Sequence, residues 1–497
     1  MTGRDFGYAD ALAALESRGR FGINLGLART KALLAGLDHP EKAFRGALIA
    51  GTNGKGSVLA LVASVLREAG YRVGETPKPH LVTYRERLQI GGHPVDPVTF
   101  ARIVAEVVDV ADHVARRHGD PTEFELLTAV TFRWFAESGI DLALVEVGLG
   151  GRLDATHAWD GGVAVVTNIG LDHTDRLGAT VEAIAREKAA IIMRGDLAVT
   201  GAWGSALDVI ERRSRRVAAP LTVTPPAPLR GTDRDGIEVE MGRLGRVRVG
   251  LRGRHQAANV AVADATLDAL EAAGIARASD DARRAGYAAV RWPGRMELVE
   301  VATGSGSGSC PATGSGSGSG SGTAAGSGTA AGSGAAAGPP APARAREVIL
   351  DGAHNPAGAA ALAQGLDDIA PFLRPGRPTL ILAIMADKDV DGMIRALDGS
   401  TLVRDARVIC TAPSGGRALA ADLLAARWRA LAGRAAEAAA EPAEAIDAAL
   451  SPESGTGPVI VAGSLYLVGA ARAILVSDAA LVPDPPLISR PRPEVAP

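Results

Sequence analysis

The chain has little of what extracellular and membrane proteins depend on. Its 497 residues include only two cysteines, Cys310 and Cys410, so neither a disulfide framework nor a zinc site made of cysteines alone can form. The thiol of Cys410, inside an apolar run, is interpreted as a core group, with a reactive role as the alternative. No stretch reaches the roughly 18 apolar residues of a membrane span, and the N-terminus lacks a secretory pattern. The sequence therefore predicts a cytoplasmic protein without a membrane partner.

An excess of charge of one sign is also lacking. Lys and Arg number 53 against 56 Asp and Glu, a net charge of -3, so no bulk field favours nucleic acid, and none is expected as a partner. Hydrophobic residues make up 47%, which excludes wholesale disorder, and the length favours two domains. Only six of the basic residues are lysines, and Lys55, Lys188 and Lys388 lie inside short motifs.

Apolar runs of strand length alternate with stretches of helical period along most of the chain. This alternation predicts an α/β fold with largely parallel sheets. Residues 141–147 and 163–169 are too apolar for strands exposed on one side and are predicted to be central. Residues 237–251 alternate as in a hairpin.

A Gly/Ser/Ala/Thr tract interrupts the alternation at residues 303–338 and is followed by a Pro-rich stretch. It has almost no apolar surface to offset the entropy of ordering, so no secondary structure is assigned to it. Strand-like segments flank it at residues 296–301 and 347–352. The tract is therefore predicted to be an insertion within a domain, acting as a passive spacer, and residues 481–497 are predicted to be a disordered tail.

The strongest local signal is a glycine-rich turn between an apolar strand and a helix. It comprises Gly51, Thr52, Asn53, Gly54, Lys55, Gly56 and Ser57. Glycines allow backbone N–H groups to approach phosphate oxygens, a lysine adds a full charge, and a serine hydroxyl can ligate the Mg2+ of a nucleotide. The turn departs from the strict P-loop spacing, and a glycine turn without a ligand is the alternative.

Polar residues follow several predicted strands. Glu146 ends a central strand, where ligands bind in open α/β sheets, and can reach a metal near the phosphates. Asp172 and His173 end the next strand, although such residues are often only turn or cap residues. Lys188 lies on a helix, and from the pattern alone a solvated lysine is the favoured interpretation. Asp351 and His354 form a further cluster at a strand end.

The sequence resembles the folylpolyglutamate synthase and dihydrofolate synthase family of the Mur ligase superfamily. The resemblance extends from about Gly26 to Gly469 apart from the low-complexity tract. The motifs that carry it occur in the family's order: GTNGKGS, EVGLGGRLDAT, NIGLDH, REKAAI, LRGRHQAANVAVA, WPGRMEL, DGAHNP and ADKD.

The resemblance implies a fold of two domains. Residues 1–292 would form an N-terminal ATPase domain of P-loop type with a mainly parallel central sheet. Residues 293–480 would form a smaller C-terminal, Rossmann-like α/β ligase domain with a low-complexity insert at 303–345. The active site would lie in the cleft between them, and a monomer is expected.

The resemblance also implies an ATP-dependent amide ligation. The γ-phosphoryl group of ATP would activate a carboxylate as an acyl phosphate, which the amine of L-glutamate attacks. The acid would be dihydropteroate or a reduced folate polyglutamate, and the enzyme would be bifunctional. Lys55 would hold the β- and γ-phosphates, and Ser57, Glu146 and His173 would hold Mg2+, with two ions expected. Lys188 would be carbamylated and support the second ion.

Further roles follow from the same resemblance. Asn259 and Arg295 would contact the nucleotide, and Asp351 would bind its ribose or phosphate. His354 would help to seat glutamate, with catalytic roles for Lys55, Lys188 and His354. The acid substrate would be bound by His80 and Asp154, and Asp154 would recognise the pterin. The loop Gly51–Ser57 would hold the nucleotide.

The chain departs from the family pattern at three positions. Lys78 stands where serine is common, His157 where asparagine is common and Ala190 where glycine is common, which bears on the preferred acceptor.

Two other functions stay open. One alternative is a cell-wall Mur ligase that joins amino acids to a nucleotide-linked peptide. The other is a nucleotide-dependent regulatory protein that uses the glycine loop as a switch.

Overall fold

The computed structural model describes residues 6–19, 26–303, 344–413 and 418–485. Most of the Gly/Ser tract, Cys310 and residues 486–497 of the predicted tail lie outside these ranges. Residues 481–485 lie within them, and the Asp484 carboxylate accepts hydrogen bonds from the first part of the chain. Within the described ranges no helix is long and apolar enough to cross a membrane.

The first sheet is mainly parallel. Its strands are β1 (Gly46–Ala50), β2 (Val73–Thr76), β3 (Gln89–Ile90), β4 (His93–Pro94), β5 (Leu142–Glu146), β6 (Gly162–Val166), β7 (Leu197–Thr200) and β8 (Leu221–Val223). They lie in the order β4-β3-β2-β5-β1-β6-β7-β8, and only β3 runs antiparallel to its neighbours, β2 and β4. The two predicted central strands, β5 and β6, flank β1, which confirms their assignment.

Helices cover both faces of this sheet. They are α1 (Tyr8–Gly19), α2 (Ala28–Gly36), α3 (Lys55–Glu68), α4 (Pro97–His118), α5 (Glu123–Ser138), α6 (Thr174–Leu177), α7 (Val181–Ala189), α8 (Gly204–Val217), α9 (Gln256–Ala272) and α10 (Asp280–Ala289). Leu48 and Ala50 of β1 pack toward α4 and α5, whereas Ala47 and Ile49 pack toward α3 and α9. Burial on both faces explains why these strands are continuous apolar runs.

A three-stranded antiparallel sheet packs beside α9 and α10. It consists of β9 (Leu229–Asp233), β10 (Gly236–Met241) and β11 (Gly245–Val249). Met241 pairs with Gly245 at the turn between β10 and β11, so the predicted hairpin is confirmed.

The C-terminal sheet is also parallel except at one edge. Its strands are β12 (Glu297–Thr303), β13 (Arg344–Asp351), β14 (Thr379–Leu382), β15 (Arg407–Cys410), β16 (Glu437–Ala438) and β17 (Val459–Ala462). They lie in the order β12-β13-β17-β14-β15-β16, and only β12 is antiparallel to its neighbour. The Gly/Ser tract therefore connects two paired strands of one sheet.

Among the described residues, six further helices cover the C-terminal sheet. They are α11 (Pro356–Ile369), α12 (Val390–Asp398), α13 (Thr401–Arg404), α14 (Ala421–Ala432), α15 (Pro442–Leu450) and α16 (Leu465–Leu475). Helices α11, α12 and α14 pack on one face, and α15 and α16 on the other. Cys410 is buried in this core, and burial raises its pKa to about 12, which agrees with an unreactive thiol. The predicted α/β class with two mainly parallel sheets is confirmed.

Candidate active site

The glycine turn connects the carboxyl end of β1 to the start of α3. Gly54 has a φ of +82°, and a Cβ atom there would lie 2.3 Å from the Asn259 side-chain oxygen. A Cβ atom on Gly51 would lie 1.9 Å from the Thr167 hydroxyl. Side chains are therefore excluded at both positions, and the backbone of the turn remains open to a ligand.

Polar groups at the end of β6 hold the turn in place. The Thr52 hydroxyl donates to the Gly170 carbonyl, and the Asn53 N–H donates to the Asn168 side chain at 2.9 Å. The Thr167 hydroxyl donates to the Asn53 carbonyl at 2.7 Å. The motif after β6 thus fixes the conformation of the glycine turn.

Lys55 and Glu146 face each other at the amino end of α3. The Lys55 ammonium lies 3.3 Å from the Thr52 carbonyl and 3.8 Å from Glu146 Oε1. Glu146 is buried, and its Oε2 accepts from the Lys78 N–H at 2.9 Å. Burial raises the pKa of Glu146, and the positive charge of Lys55 opposes that rise. A buried carboxylate with a cation beside it suits a site that handles phosphate and metal charge.

Lys188 lies inside the site and not on the surface. Its side chain reaches from α7 to the glycine turn, where Nζ donates to the Gly51 carbonyl at 2.9 Å. Only 7% of the residue is exposed, so the solvated interpretation favoured by the pattern is wrong. Burial, with the nearby charge of Lys55, lowers the pKa of Lys188 to about 7.

The carboxyl end of β13 supplies the opposite wall. The Asp351 carboxylate accepts from the backbone N–H groups of Met296 and Ala353, each at 2.8 Å. Burial raises the pKa of Asp351, and Arg295 opposes the rise. His354 Nδ1 donates to the Gly352 carbonyl at 2.8 Å, and burial lowers its pKa to about 4. The imidazole is therefore neutral at pH 7, with Nε2 directed away from that bond.

Hydrogen bonds join the two walls. The Asn355 amide donates to Asn53 and to Asp172, each at 3.0 Å. Lys388 follows β14, and its ammonium donates to the Asp172 carboxylate at 2.8 Å. Burial alone would raise the pKa of Asp172, but the Lys388 hydrogen bond and neighbouring charges lower it to about 2. A negative Asp172 therefore links both sheets at the cleft.

A cavity of about 400 Å³ lies between these walls. Most of the residues singled out from the sequence line it: Gly51, Thr52, Asn53, Gly54, Lys55, Gly56, Ser57, Glu146, His173, Lys188, Asn259, Arg295, Asp351 and His354. Four of the six lysines of the chain, Lys55, Lys78, Lys188 and Lys388, also line it. Strand ends far apart in sequence thus converge on one cleft.

His80 and Asp154 are placed differently and do not line this cavity. His80 Nδ1 accepts from Arg87, and burial lowers its pKa to about 3. The Asp154 oxygens accept from the Leu149 N–H and from the N–H and hydroxyl of Thr156. Their roles in binding the acid stay predictions.

Lys78, Arg87 and Phe124 are among the cavity residues that were not predicted as site residues from the sequence. Arg87 and Phe124 line the cavity and also a smaller one next to it, and so does Lys78, whose ammonium lies 4.7 Å from the Phe124 ring centre. Lys78 Nζ donates to the Glu146 carbonyl at 2.8 Å. The scarcity of lysine in the sequence could have pointed to Lys78. No sequence feature pointed to Arg87, because arginines are common in this chain.

The donor groups of the cleft fit Mg2+. Within the described ranges no three His, Cys, Asp or Glu side chains gather as a metal cluster. Mg2+ does not need such a cluster, because it is commonly held by one or two carboxylates together with substrate phosphates and water. Glu146 is a buried carboxylate at the glycine turn, and the Ser57 hydroxyl lies on the adjacent first turn of α3.

Two domain families match the chain. The Mur ligase middle domain matches residues 49–200, which include the glycine turn, Glu146 and Lys188. The Mur ligase glutamate ligase domain matches residues 341–465, which include Asp351, His354 and Lys388. The cleft thus lies between segments of both matched regions.

Two named relatives match the chain over different lengths. The dihydrofolate synthase/folylpolyglutamate synthase of Mycobacterium tuberculosis is 34% identical over 495 residues, 92% of this chain and 91% of the relative. Its counterpart from Bacillus subtilis is 39% identical over 305 residues, 59% of this chain and 70% of the relative.

Solved structures agree with these relatives. Mycobacterium tuberculosis folylpolyglutamate synthase complexed with ADP and AMPPCP matches with a TM-score of 0.76 at 30% identity, covering 94% of this chain and all of that one. Escherichia coli FolC in complex with DHPP and ADP matches with a TM-score of 0.72 at 28% identity, covering 94% and 97%.

Proposed function

This chain belongs to the dihydrofolate synthase and folylpolyglutamate synthase family of Mur ligases, and on that premise we propose that it joins L-glutamate to pterin-bearing acids. It is an ATP-dependent ligase that forms an amide bond. The acids are dihydropteroate, reduced folates that carry glutamate residues, or both. Its relatives are named as ligases of this kind, which disfavours both the cell-wall ligase and the regulatory protein.

The observation that supports this proposal most directly is the composition of the cleft. The wall formed by the first sheet carries the glycine turn, Lys55 and Glu146, which suit a nucleotide triphosphate. The opposite wall carries Asp351, His354 and Lys388. Amide ligation from ATP requires three reactants to meet, and a cleft between two sheets can bind them from both sides.

Phosphoryl transfer depends on charge neutralisation and alignment. The backbone N–H groups of the turn and the Lys55 ammonium hold the β- and γ-phosphates of ATP, which is a substrate. Asn259, Arg295 and Asp351 bind the rest of the nucleotide. The acid substrate's carboxylate accepts the phosphoryl group, and the resulting acyl phosphate is attacked by the glutamate amine, releasing phosphate.

Two Mg2+ ions are part of the proposal. Ser57, Glu146 and His173 would hold the first ion, and a carbamylated Lys188 would support the second ion. The ions supply neutralisation of the phosphate charge that develops during transfer. Carbamylation replaces an ammonium by a carboxylate, which a guanidinium cannot provide, and Lys188 is a buried lysine in a chain rich in arginine.

Two groups of residues serve the other substrates. His354 seats the incoming glutamate, since its neutral imidazole lines the cleft opposite the glycine turn. His80 and Asp154 belong to the side where the acid binds, and Asp154 recognises the pterin. Residues 1–292 form the ATPase domain and residues 293–480 the ligase domain of this proposal.

Product analysis tests the proposed function. Purified enzyme with Mg2+, ATP and L-glutamate is given dihydropteroate, a reduced folate or no acid, and ADP release and product mass are measured. We expect ADP and a product extended by one glutamate with at least one acid. Lys55→Gln should abolish both signals, whereas Lys42→Gln, on an exposed lysine, should leave them unchanged. Absence of ADP with every pterin acid would contradict the proposal.

A further inference from the structure

The loop of residues 79–87 borders the acid side of the cavity. Pro79 and Arg87, at its two ends, line the cavity. Inside the loop, the Glu86 carboxylate accepts from three consecutive N–H groups at 2.7–2.9 Å, those of Leu81, Val82 and Thr83. The Tyr84 ring lies 4.5 Å from the His80 ring and 5.4 Å from the Arg87 guanidinium. The loop is therefore ordered as one unit, and Tyr84 packs against Arg87, which lines the cavity.

Asp484, which follows α16, is bound to this loop. Its Oδ1 accepts from the Tyr8 hydroxyl at 2.5 Å and from the Thr83 hydroxyl at 2.6 Å. Its Oδ2 accepts from the Tyr84 N–H at 2.9 Å. The Arg85 guanidinium adds a bond to the Ala480 carbonyl. One carboxylate thus joins the C-terminal segment to α1 and to the middle of the loop.

The segment that carries Asp484 is itself attached to the C-terminal sheet. Asp478 accepts from Arg472 of α16 at 3.1 Å and from the Ala480 N–H at 3.0 Å. The Arg472 side chain is buried and also donates to Glu297 of β12 at 3.2 Å. Asp484 is therefore held from the side of the second sheet while it bonds residues of the first part of the chain.

A second contact links α16 to the same loop. A Cβ atom on Gly469 would lie only 1.9 Å from the Leu81 carbonyl oxygen. The helix backbone and the loop backbone therefore approach so closely that only glycine fits at this position. The C-terminal part of the chain therefore contacts the loop at Leu81 as well as at Thr83, Tyr84 and Arg85.

We infer that Asp484 and Gly469 are positioning residues for the acid substrate, because together they fix the 79–87 loop from the C-terminal side. Neither residue lines the cavity; both act through the loop that places Arg87 in it. The inference rests on the proposed function at one point, namely that the ligand bound on this side of the cavity is the acid substrate. Loss of either contact should weaken acid binding and leave nucleotide binding unchanged.

Steady-state kinetics of full-length Asp484→Ala and Gly469→Ala variants test this inference. We expect the KM for the acid to rise about tenfold in Asp484→Ala, a typical consequence of losing charged hydrogen bonds. The KM for ATP should stay unchanged, and Asp484→Asn, which retains an acceptor, should show a smaller rise. Val482→Ala, an exposed position in the same segment, is the matched control and should behave as wild type.

Amide hydrogen exchange provides a readout that does not need the reaction. The N–H groups of residues 81–84 should exchange faster in Asp484→Ala than in Val482→Ala, with exchange elsewhere unchanged. Unchanged exchange in this loop and an unchanged KM for the acid, in a variant with wild-type thermal unfolding, would overturn the inference. Failure of the proposed function would appear differently, as a wild-type enzyme that releases no ADP with any pterin acid.

Discussion

The environment of Lys188 favours the proposed carbamylation of its side chain. It is buried, it contacts the glycine turn, and its pKa is lowered to about 7. A lysine in this setting presents a larger fraction of neutral amine than an exposed lysine, and carbamylation by CO2 requires a neutral amine. Carbamylation would first remove one proton from the ammonium to give the neutral amine, which would then add CO2 and lose a second proton, so that the group would change from a cation to an anion.

Replacement of Lys188 tests this modification. Lys188→Arg keeps a cation but cannot form the carbamate, and Lys188→Met keeps much of the side-chain volume without a charge. We expect both variants to lower kcat on the order of 100-fold, as for other preorganised electrostatic groups. Lys31→Arg, on an exposed lysine, should retain full activity. Native mass spectrometry with bicarbonate should detect added CO2 in wild type; full activity in Lys188→Arg would contradict the role.

Some residues of the site could be predicted from the sequence, whereas the burial of Lys188 could not. The glycine turn, Glu146 and Asp351 were predictable because each follows an apolar strand, and parallel strands end at one edge of a sheet. Burial of Lys188 was not predictable from its helix, since helical lysines are usually solvated and its partner, Gly51, is 137 residues away. Its role came only from resemblance to a family.

At the scale of elements, α10 packs directly against α3, the helix that carries Lys55 and Ser57. A Cβ atom on Gly286 would lie 2.4 Å from the Val65 Cα, and the Ser64 hydroxyl donates to the Gly286 carbonyl at 2.7 Å. Gly286→Ala must therefore push the two helices apart. We expect a loss of about 1–3 kcal/mol in the free energy of unfolding, measured with urea. Ala285→Ser, on the exposed side of α10, should change it by less than about 0.5 kcal/mol.

A buried acid at the start of β7 makes stability depend on pH. Burial, with the adjacent Asp160, raises the pKa of Asp196 from 3.8 to about 7. Between these values the folded chain holds a proton that the unfolded chain has released. The free energy of unfolding therefore falls as pH rises through this range, and the full loss is present above about pH 7.

Asp196→Asn removes this dependence. We expect it to raise the free energy of unfolding at pH 8 by on the order of 1 kcal/mol, and by less at pH 5. Urea unfolding at the two pH values measures the difference, with Asp208→Asn on the exposed surface of α8 as the control. An equal effect at both pH values would contradict the assignment.

Elements were predictable where the chain buries long apolar runs. Strands β1, β5, β6, β14 and β17 lie within such runs, and the hairpin of β10 and β11 alternates as antiparallel strands do. The two-residue strands β3, β4 and β16 are too short for any period to mark them. Helix α3 begins at Lys55, three residues before its first apolar residue, Val58, so its polar first turn was assigned to the loop.

At the scale of the whole molecule, the active cleft depends on contacts that no local pattern records. Asn355 and Lys388 meet Asp172 although more than 180 residues separate each of them from it. The Asp484 carboxylate meets Tyr8 across nearly the full length of the chain. Local periodicity predicts the sheets, but the relative placement of the sheets follows from their packing, and only the resemblance predicted a cleft between them.

The Gly/Ser tract bears on the whole molecule because it joins the paired strands β12 and β13. Thr303 and Arg344 are partners at the end of this ladder, so a two-residue Asn-Gly turn can replace the 40 residues between them. The shorter loop costs less entropy to close, and we expect stabilisation by about 2 kcal/mol. If the tract is a passive spacer, kcat and the KM values for ATP, glutamate and the acid stay unchanged in the shortened enzyme. A fall in kcat with undiminished thermal stability would mean that the tract takes part in the reaction.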